Sequence, residues 1–494
     1  MSVRALGRCV LVAATVAIVA GCGVAADVAN RDRILLAGDD ATPTTVGRAI
    51  DEVEDRFNGD GIGDDDEVIL AALQDVEAYW DNEFPEVFGG DFEPVDAFFA
   101  YGPDTESPPC GSPPPPYQAI AGNAFYCPGT DIIAWDTTQL IPGIQDQFGD
   151  FALGIVMAHE YGHALQARTD FDGLTIAFEQ QADCYAGAWA QWVRRGNAEN
   201  FEIRFEDLDS SLAGFLELRD SPNTSLLDPG AHGTAFDRVS AFQDGFFNGA
   251  EKCAEYSNAD LPAVPLEQFR EGFLTDEPDA AFNRVEGFTV EDLDNFWTAV
   301  FDELGEEWDP PEALPLDPSA PDQPSCGGDQ LDGDDVEGEA LYCEADDFVA
   351  WDEAELMPEL YRDIGDFAMA TVIGTQYSQA ALAKLGDDAD DLETALRADC
   401  LTGAWIASAV IQDRGPASEN ELGNVFVLTP GDLDEVIESF LTQGDAFTQL
   451  DAELGEPGTP FVRLGALRRG FFESLEEGSS VAGVTDCLEN FLAD

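Results

Sequence analysis

The chain writes one pattern twice, and nothing else in it constrains the fold as tightly. Gly149-Asp150-Phe151-Ala152 returns 216 residues later as Gly365-Asp366-Phe367-Ala368. The same offset carries Cys110 to Cys326, Cys127 to Cys343, Trp135-Asp136 to Trp351-Asp352, and Ala182-Asp183-Cys184 to Ala398-Asp399-Cys400. It then grows to 225, taking Phe215-Leu216 to Phe440-Leu441 and Gly245-Phe246-Phe247 to Gly470-Phe471-Phe472, and reaches 234 between Cys253 and Cys487. Two insertions of nine residues are what surface loops tolerate. Trp80 and Trp297 extend the match upstream. Length leaves room for two or three domains, and the repeat divides the chain into residues 45–285 and 286–494, after a leader at 1–21 and a linker at 22–44.

Eight cysteines split four and four between the copies. Each set of four allows three pairings. Cys110–Cys127 and Cys184–Cys253 are expected, repeated as Cys326–Cys343 and Cys400–Cys487. The first closes a short loop before a strand, and the second ties a central helix to the copy's C-terminal end. Paired thiols suit an oxidising, exported environment. The N-terminus agrees: Arg4 and Arg8 precede an apolar run at residues 10–20, too short to span a bilayer comfortably. Val19-Ala20-Gly21-Cys22 resembles the lipobox of bacterial lipoproteins, which implies lipidation of Cys22 and a membrane-tethered protein facing outward. Lipid on that one residue is the only membrane contact expected.

Hydrophobic periodicity predicts helices over residues 67–83, 144–168, 177–195 and 236–249, and a strand over 125–136 that could pair with an extended ligand at 132–135. Proline-rich stretches at 108–116 and 310–324 read as loops. The fold class is therefore α+β, mostly helical, in two copies. With 100 acidic against 22 basic residues the formal charge is −78, which repels nucleic acid and anionic membranes. The acids are dispersed through amphipathic segments rather than gathered in a tail, an arrangement suited to high salt. An acidic loop, Asn58-Gly59-Asp60-Gly61-Ile62-Gly63-Asp64-Asp65-Asp66-Glu67, hints at calcium, but Arg56 stands where the first carboxylate of an EF-hand loop belongs. A solvated turn is the expected reading.

The chain owns three histidines, and two stand in Ala158-His159-Glu160-Tyr161-Gly162-His163. Helix positions i and i+4 share a face, so His159 and His163 can grip one metal ion, with Glu160 placed as general base toward a water there. Catalytic zinc takes three protein ligands and leaves a position open. Glu179, sixteen residues after His163 on the next helix, is the expected third. Asp183, one turn further, is expected either to accept the free N–H of a ligand imidazole or to brace a helix, since its counterpart Asp399 persists in the second copy. His232, the remaining histidine, is expected to donate to the oxyanion of a hydrolytic transition state or to make a structural hydrogen bond. Tyr161 also has a counterpart, Tyr377, which favours packing.

Two histidines around a glutamate, followed by Glu179 and Asp183, resemble the gluzincin peptidases. More narrowly, Phe125-Tyr126-Cys127-Pro128, His159-Glu160-Tyr161-Gly162-His163-Ala164-Leu165-Gln166, Gln181-Ala182-Asp183-Cys184-Tyr185-Ala186-Gly187 and His232-Gly233-Thr234 are similar to the neutral zinc metallopeptidase family of bacteria. The similarity covers roughly residues 65–255. It implies a zincin-like domain with one zinc ion per chain held by His159, His163 and Glu179, Glu160 as the base, and a peptide or protein substrate. In the second copy Thr375, Gln376, Gln379, Ala395 and Pro457 replace His159, Glu160, His163, Glu179 and His232. That pattern predicts a degenerate second domain that keeps the frame and loses the chemistry.

Overall fold

The computed structural model describes residues 53–58, 64–217, 219–221, 224–225, 231–258, 261–264, 280–387, 391–411, 428–429, 431–442 and 459–489. The leader, Cys22, residues 59–63 of the acidic loop and Pro457 lie outside the described residues.

In the first half the order is α1 (Asp64–Val87), β1 (Ala97–Tyr101), the short α2 (Tyr117–Ile120), β2 (Ala124–Cys127), β3 (Ile132–Asp136), α3 (Leu140–Phe148), α4 (Asp150–Arg168), α5 (Thr175–Arg194), α6 (Phe205–Glu217) and α7 (Ala235–Ala254). In the second it is α8 (Phe282–Leu304), β4 (Glu312–Leu316), the two-residue strands β5 (Ser325–Cys326) and β6 (Asp329–Gln330), β7 (Ala340–Cys343), β8 (Phe348–Asp352), α9 (Leu356–Asp363), α10 (Asp366–Leu385), α11 (Asp391–Ile411), α12 (Asp432–Thr442), α13 (Pro460–Glu477) and α14 (Ser480–Glu489). The fold is mostly helical with small sheets, an α+β arrangement.

Each half has a three-stranded sheet of the same topology, β1-β3-β2 and β4-β8-β7. Registers match: Ala134 pairs with Phe99 and Phe125, as Ala350 pairs with Leu314 and Leu341. Helix packing matches too. A Cβ on Gly187 would overlap the Phe242 carbonyl, and one on Gly245 the Cys184 carbonyl. Gly403 stands in the same relation to Leu467, and Gly470 to Cys400. Only glycine lets α5 and α7, or α11 and α13, approach with backbones in contact. Phe151 stacks on Trp189 at 15° and Phe367 on Trp405 at 17°. The disulfides are Cys110–Cys127, Cys184–Cys253, Cys326–Cys343 and Cys400–Cys487, the pairing expected.

Three expectations need correction. The strand over 125–136 is a hairpin, because Pro128 ends β2 and Asp131 turns the chain at φ 50. The helix over 144–168 breaks into α3 and α4 at Gly149, whose φ of 83 no helix accommodates. Most important for function, β3 lies at the centre of its sheet between β1 and β2. Its backbone is already paired on both sides, so it cannot bind an extended ligand. The run Ala97-Phe98-Phe99-Ala100-Tyr101, which becomes the parallel partner β1, went unread because its residues do not alternate. Among the described residues no helix is long and apolar enough to cross a membrane.

Candidate metal centre

Helices α4 and α5 pack antiparallel across the loop at residues 169–174. A Cβ on Gly162 would sit 2.8 Å from Ala182 Cα, so this glycine lets the backbones close between the two pairs of polar residues. The result brings His159, His163 and Glu179 together, with one potential ligand atom from each lying within 4.8 Å of the others. Nε2 of His159 is 3.4 Å from Glu179 Oε2, and Nε2 of His163 is 3.7 Å from Oε1. The imidazole centroids are 4.8 Å apart.

The far side of each imidazole is also held. His159 Nδ1 lies 2.7 Å from Asp183 Oδ1. An ionised carboxylate only accepts, so Nδ1 carries the proton and Nε2 is turned toward Glu179. His163 Nδ1 meets Gln166 Oε1 at 2.9 Å, while Gln166 Nε2 donates to the Phe178 carbonyl at 2.7 Å. That second bond fixes the amide's orientation and again leaves Nε2 facing Glu179. Two imidazole Nε2 atoms and one carboxylate, each imidazole oriented through its other nitrogen, fit the N and O donors that zinc takes.

Charge runs the same way. Burial alone would lower the basicity of His159, but Asp183 and Glu179 overcome it and raise its pKa to about 10. Burial would raise Glu179, yet His163, His159 and His232 together hold it well below the ordinary carboxylate range. The pocket is built to hold positive charge.

Asp183 is fully buried and does more than face an imidazole. Arg238 on α7 donates to it twice, from Nε to Oδ2 at 2.8 Å and from the terminal Nη2 to Oδ1 at 2.9 Å. Sequence reasoning passed over Arg238. The signal was present: it recurs at the 225 offset as Arg463 in a chain with 22 basic residues, as Asp183 recurs as Asp399. Glu160 Oε2 accepts from the backbone N–H of Tyr126 on β2 at 2.8 Å. His232, half-buried before α7, is held by Asp220. That carboxylate accepts from His232 N–H at 2.5 Å and Gly233 N–H at 2.9 Å, and its Oδ1 lies 3.4 Å from His232 Nδ1. The bond to Asp220 raises the His232 pKa against burial, and the charge of Glu179 adds to the effect. Tyr161 points away from the pocket and donates to Glu77 at 2.8 Å.

A family model described as "Putative neutral zinc metallopeptidase" matches residues 24–256, a span that contains every residue of this pocket. "Uncharacterized protein YpfJ" of Escherichia coli (strain K12) is 29% identical over 157 residues, covering 27% of this chain and 53% of that protein. "Uncharacterized protein Rv2575" of Mycobacterium tuberculosis (strain H37Rv) is 31% identical over 165 residues, covering 28% of this chain and 56% of that protein. The chain thus spans about half the length of the curated relatives it matches. No solved structure matches it significantly. The first half of the chain is therefore similar to a zinc metallopeptidase family, and its one cluster of two histidines and a glutamate among the described residues lies inside the matched region.

Proposed function

We propose that residues 45–285 form a zinc-dependent peptidase with His159, His163 and Glu179 as ligands and Glu160 as general base. The observation that carries this is the convergence of two oriented imidazoles and one carboxylate beside Glu160. Zinc held there supplies Lewis acidity, polarising a carbonyl and making water acidic near neutral pH. The Glu160 carboxylate takes the proton of the attacking water and returns it to the leaving amine. Its bond to Tyr126 N–H places it against β2, the edge strand of the sheet. An extended peptide pairs with β2 by strand addition, the role that β3's central position denies it. The His232 imidazole, held through Nδ1 by Asp220, donates to the developing oxyanion. Residues 286–494 are a degenerate copy. The leader exports the chain, which the four disulfides support, and Cys22 anchors it by lipid.

The test compares wild type with Glu160→Gln at equal zinc content. Proteolysis falls by about 10²–10⁴-fold in the variant, while zinc uptake is unchanged. Equal inactivity of both proteins, with zinc bound, turns the reading to an envelope binding protein that cleaves nothing.

A further inference from the structure

A buried carboxylate reaches from the second half to the back of the metal pocket. Asp434 on α12 accepts through Oδ1 from Phe236 N–H, the second residue of α7, at 3.0 Å. The mirror contact exists: Asp209 on α6 accepts from Phe461 N–H, the second residue of α13, at 2.7 Å. Phe236 and Phe461, like Asp209 and Asp434, stand 225 residues apart, so the halves exchange helix caps as two subunits do across an isologous interface.

The second oxygen of Asp434, Oδ2, lies 3.5 Å from Arg219 Nε. Arg219 adjoins Asp220, the residue that holds His232. Two residues beyond Phe236, α7 carries Arg238, the double donor to Asp183, which in turn faces His159. One carboxylate thereby reaches both arms behind the pocket. One arm passes through the first turn of α7 to Arg238, Asp183 and His159, and the other through Arg219 and Asp220 to His232. A carboxylate at a helix N-terminus satisfies an N–H that the helix leaves open and complements its dipole, so it fixes where that first turn sits.

We propose that Asp434 is a positioning residue for the metal pocket of the first half, supplied by the half that lacks the histidines. The inference rests on the zinc reading above. It assigns the second half a role in assembling the pocket rather than in contacting substrate.

The experiment uses the full chain with zinc alone as probe, measuring affinity by chelator competition, and adds kcat and KM on a peptide that wild type cleaves. Asp434→Ala weakens zinc binding about tenfold, the lower end for residues that orient a metal ligand through another group, and lowers kcat with KM little changed. Asp209→Ala removes the mirror cap on α13 and lowers Tm similarly, yet leaves zinc affinity at the wild-type value. Asp434→Asn, which keeps an oxygen for Phe236 N–H, recovers most of the affinity. A folded Asp434→Ala protein with wild-type zinc affinity overturns the proposal, as does an equal loss in Asp209→Ala. Wild type that takes up no zinc overturns the metal reading first and this inference with it.

Discussion

Asp183 and Asp399 occupy equivalent positions on α5 and α11, and their difference separates frame from function. Both are fully buried. Arg238 donates to Asp183 at 2.8 and 2.9 Å, and Arg463 to Asp399 at 2.9 and 2.8 Å. Burial pushes both carboxyls up and arginine pulls both down. Asp183 nevertheless ends below its ordinary range and Asp399 above it. The extra partner is His159, 2.7 Å from Asp183. At the matching place Thr375 turns its hydroxyl back to the Thr371 carbonyl of its own helix. The aspartate–arginine pair therefore belongs to the frame of both halves, and the imidazole is an addition in one. Asp183 makes contacts of both kinds that the sequence left open, with Arg238 of α7 and with His159 Nδ1.

The contrast extends to other buried acids. In the second half Asp366, Asp432 and Glu435 converge within 4.8 Å with no histidine among them. Burial, reinforced by their mutual repulsion, raises Asp432 well above its ordinary range and Glu435 to about 8. Asp150, the first-half counterpart of Asp366, is exposed and accepts from Gln145.

The largest expected effect tests whether the metal belongs to one half. His163→Ala abolishes stoichiometric zinc measured by elemental analysis, whereas Gln379→Ala at the equivalent position leaves it unchanged. Full zinc in the first variant removes the ligand set. Next in size is the shared ion pair, compared in metal-free protein by urea denaturation. Arg463→Met strands Asp399 and costs about 3 kcal/mol or more. Arg238→Met costs less, because the His159 imidazolium still faces Asp183, but it weakens zinc about tenfold. Equal stability losses would contradict the account of the extra partner. The smallest effect concerns pH. Glu435 has an ordinary value of 4.5 and a folded value of about 8, so between these the folded chain holds more protons than the unfolded one. Stability is then greatest at the acid end and falls as pH rises through about 8. Glu435→Gln flattens that slope by on the order of 1 kcal/mol per pH unit; an unchanged slope in calorimetry from pH 5 to about 8 shows that other groups set it.

The candidate pocket was unusually legible, because a helix writes its geometry into local spacing. His159 and His163 share a face by the 3.6-residue period, and Glu179 lies on the next helix across a short loop, which leaves few ways to pack. The long helices were legible for the same reason, including the end of the 236–249 helix at Gly249, although the glycine break at 149 was not. The short strands were harder. Ala97–Tyr101 shows no alternation because all five residues are Ala, Phe or Tyr, and a hairpin with a four-residue turn at 128–131 reads as one apolar run. Arg238 was visible only as a repeated basic residue, since nothing local announces which acid it will meet 55 residues away.

Sequence by itself supplied the recurring spacing, the even division of eight cysteines that goes with it, and the pair of histidines that stands at 159 and 163 and not at the 216 offset. These are properties of spacing, and spacing survives translation into any compact fold. Tertiary structure alone decided the rest. It put β3 at the sheet's centre and left β2 as the edge beside Glu160. It delivered Arg238 to Asp183, and it carried Asp434 across from the other half to the start of α7. Strand order, buried ion pairing and contacts between halves join residues far apart along the chain, and they are chosen by which surfaces can be buried together rather than by any local period.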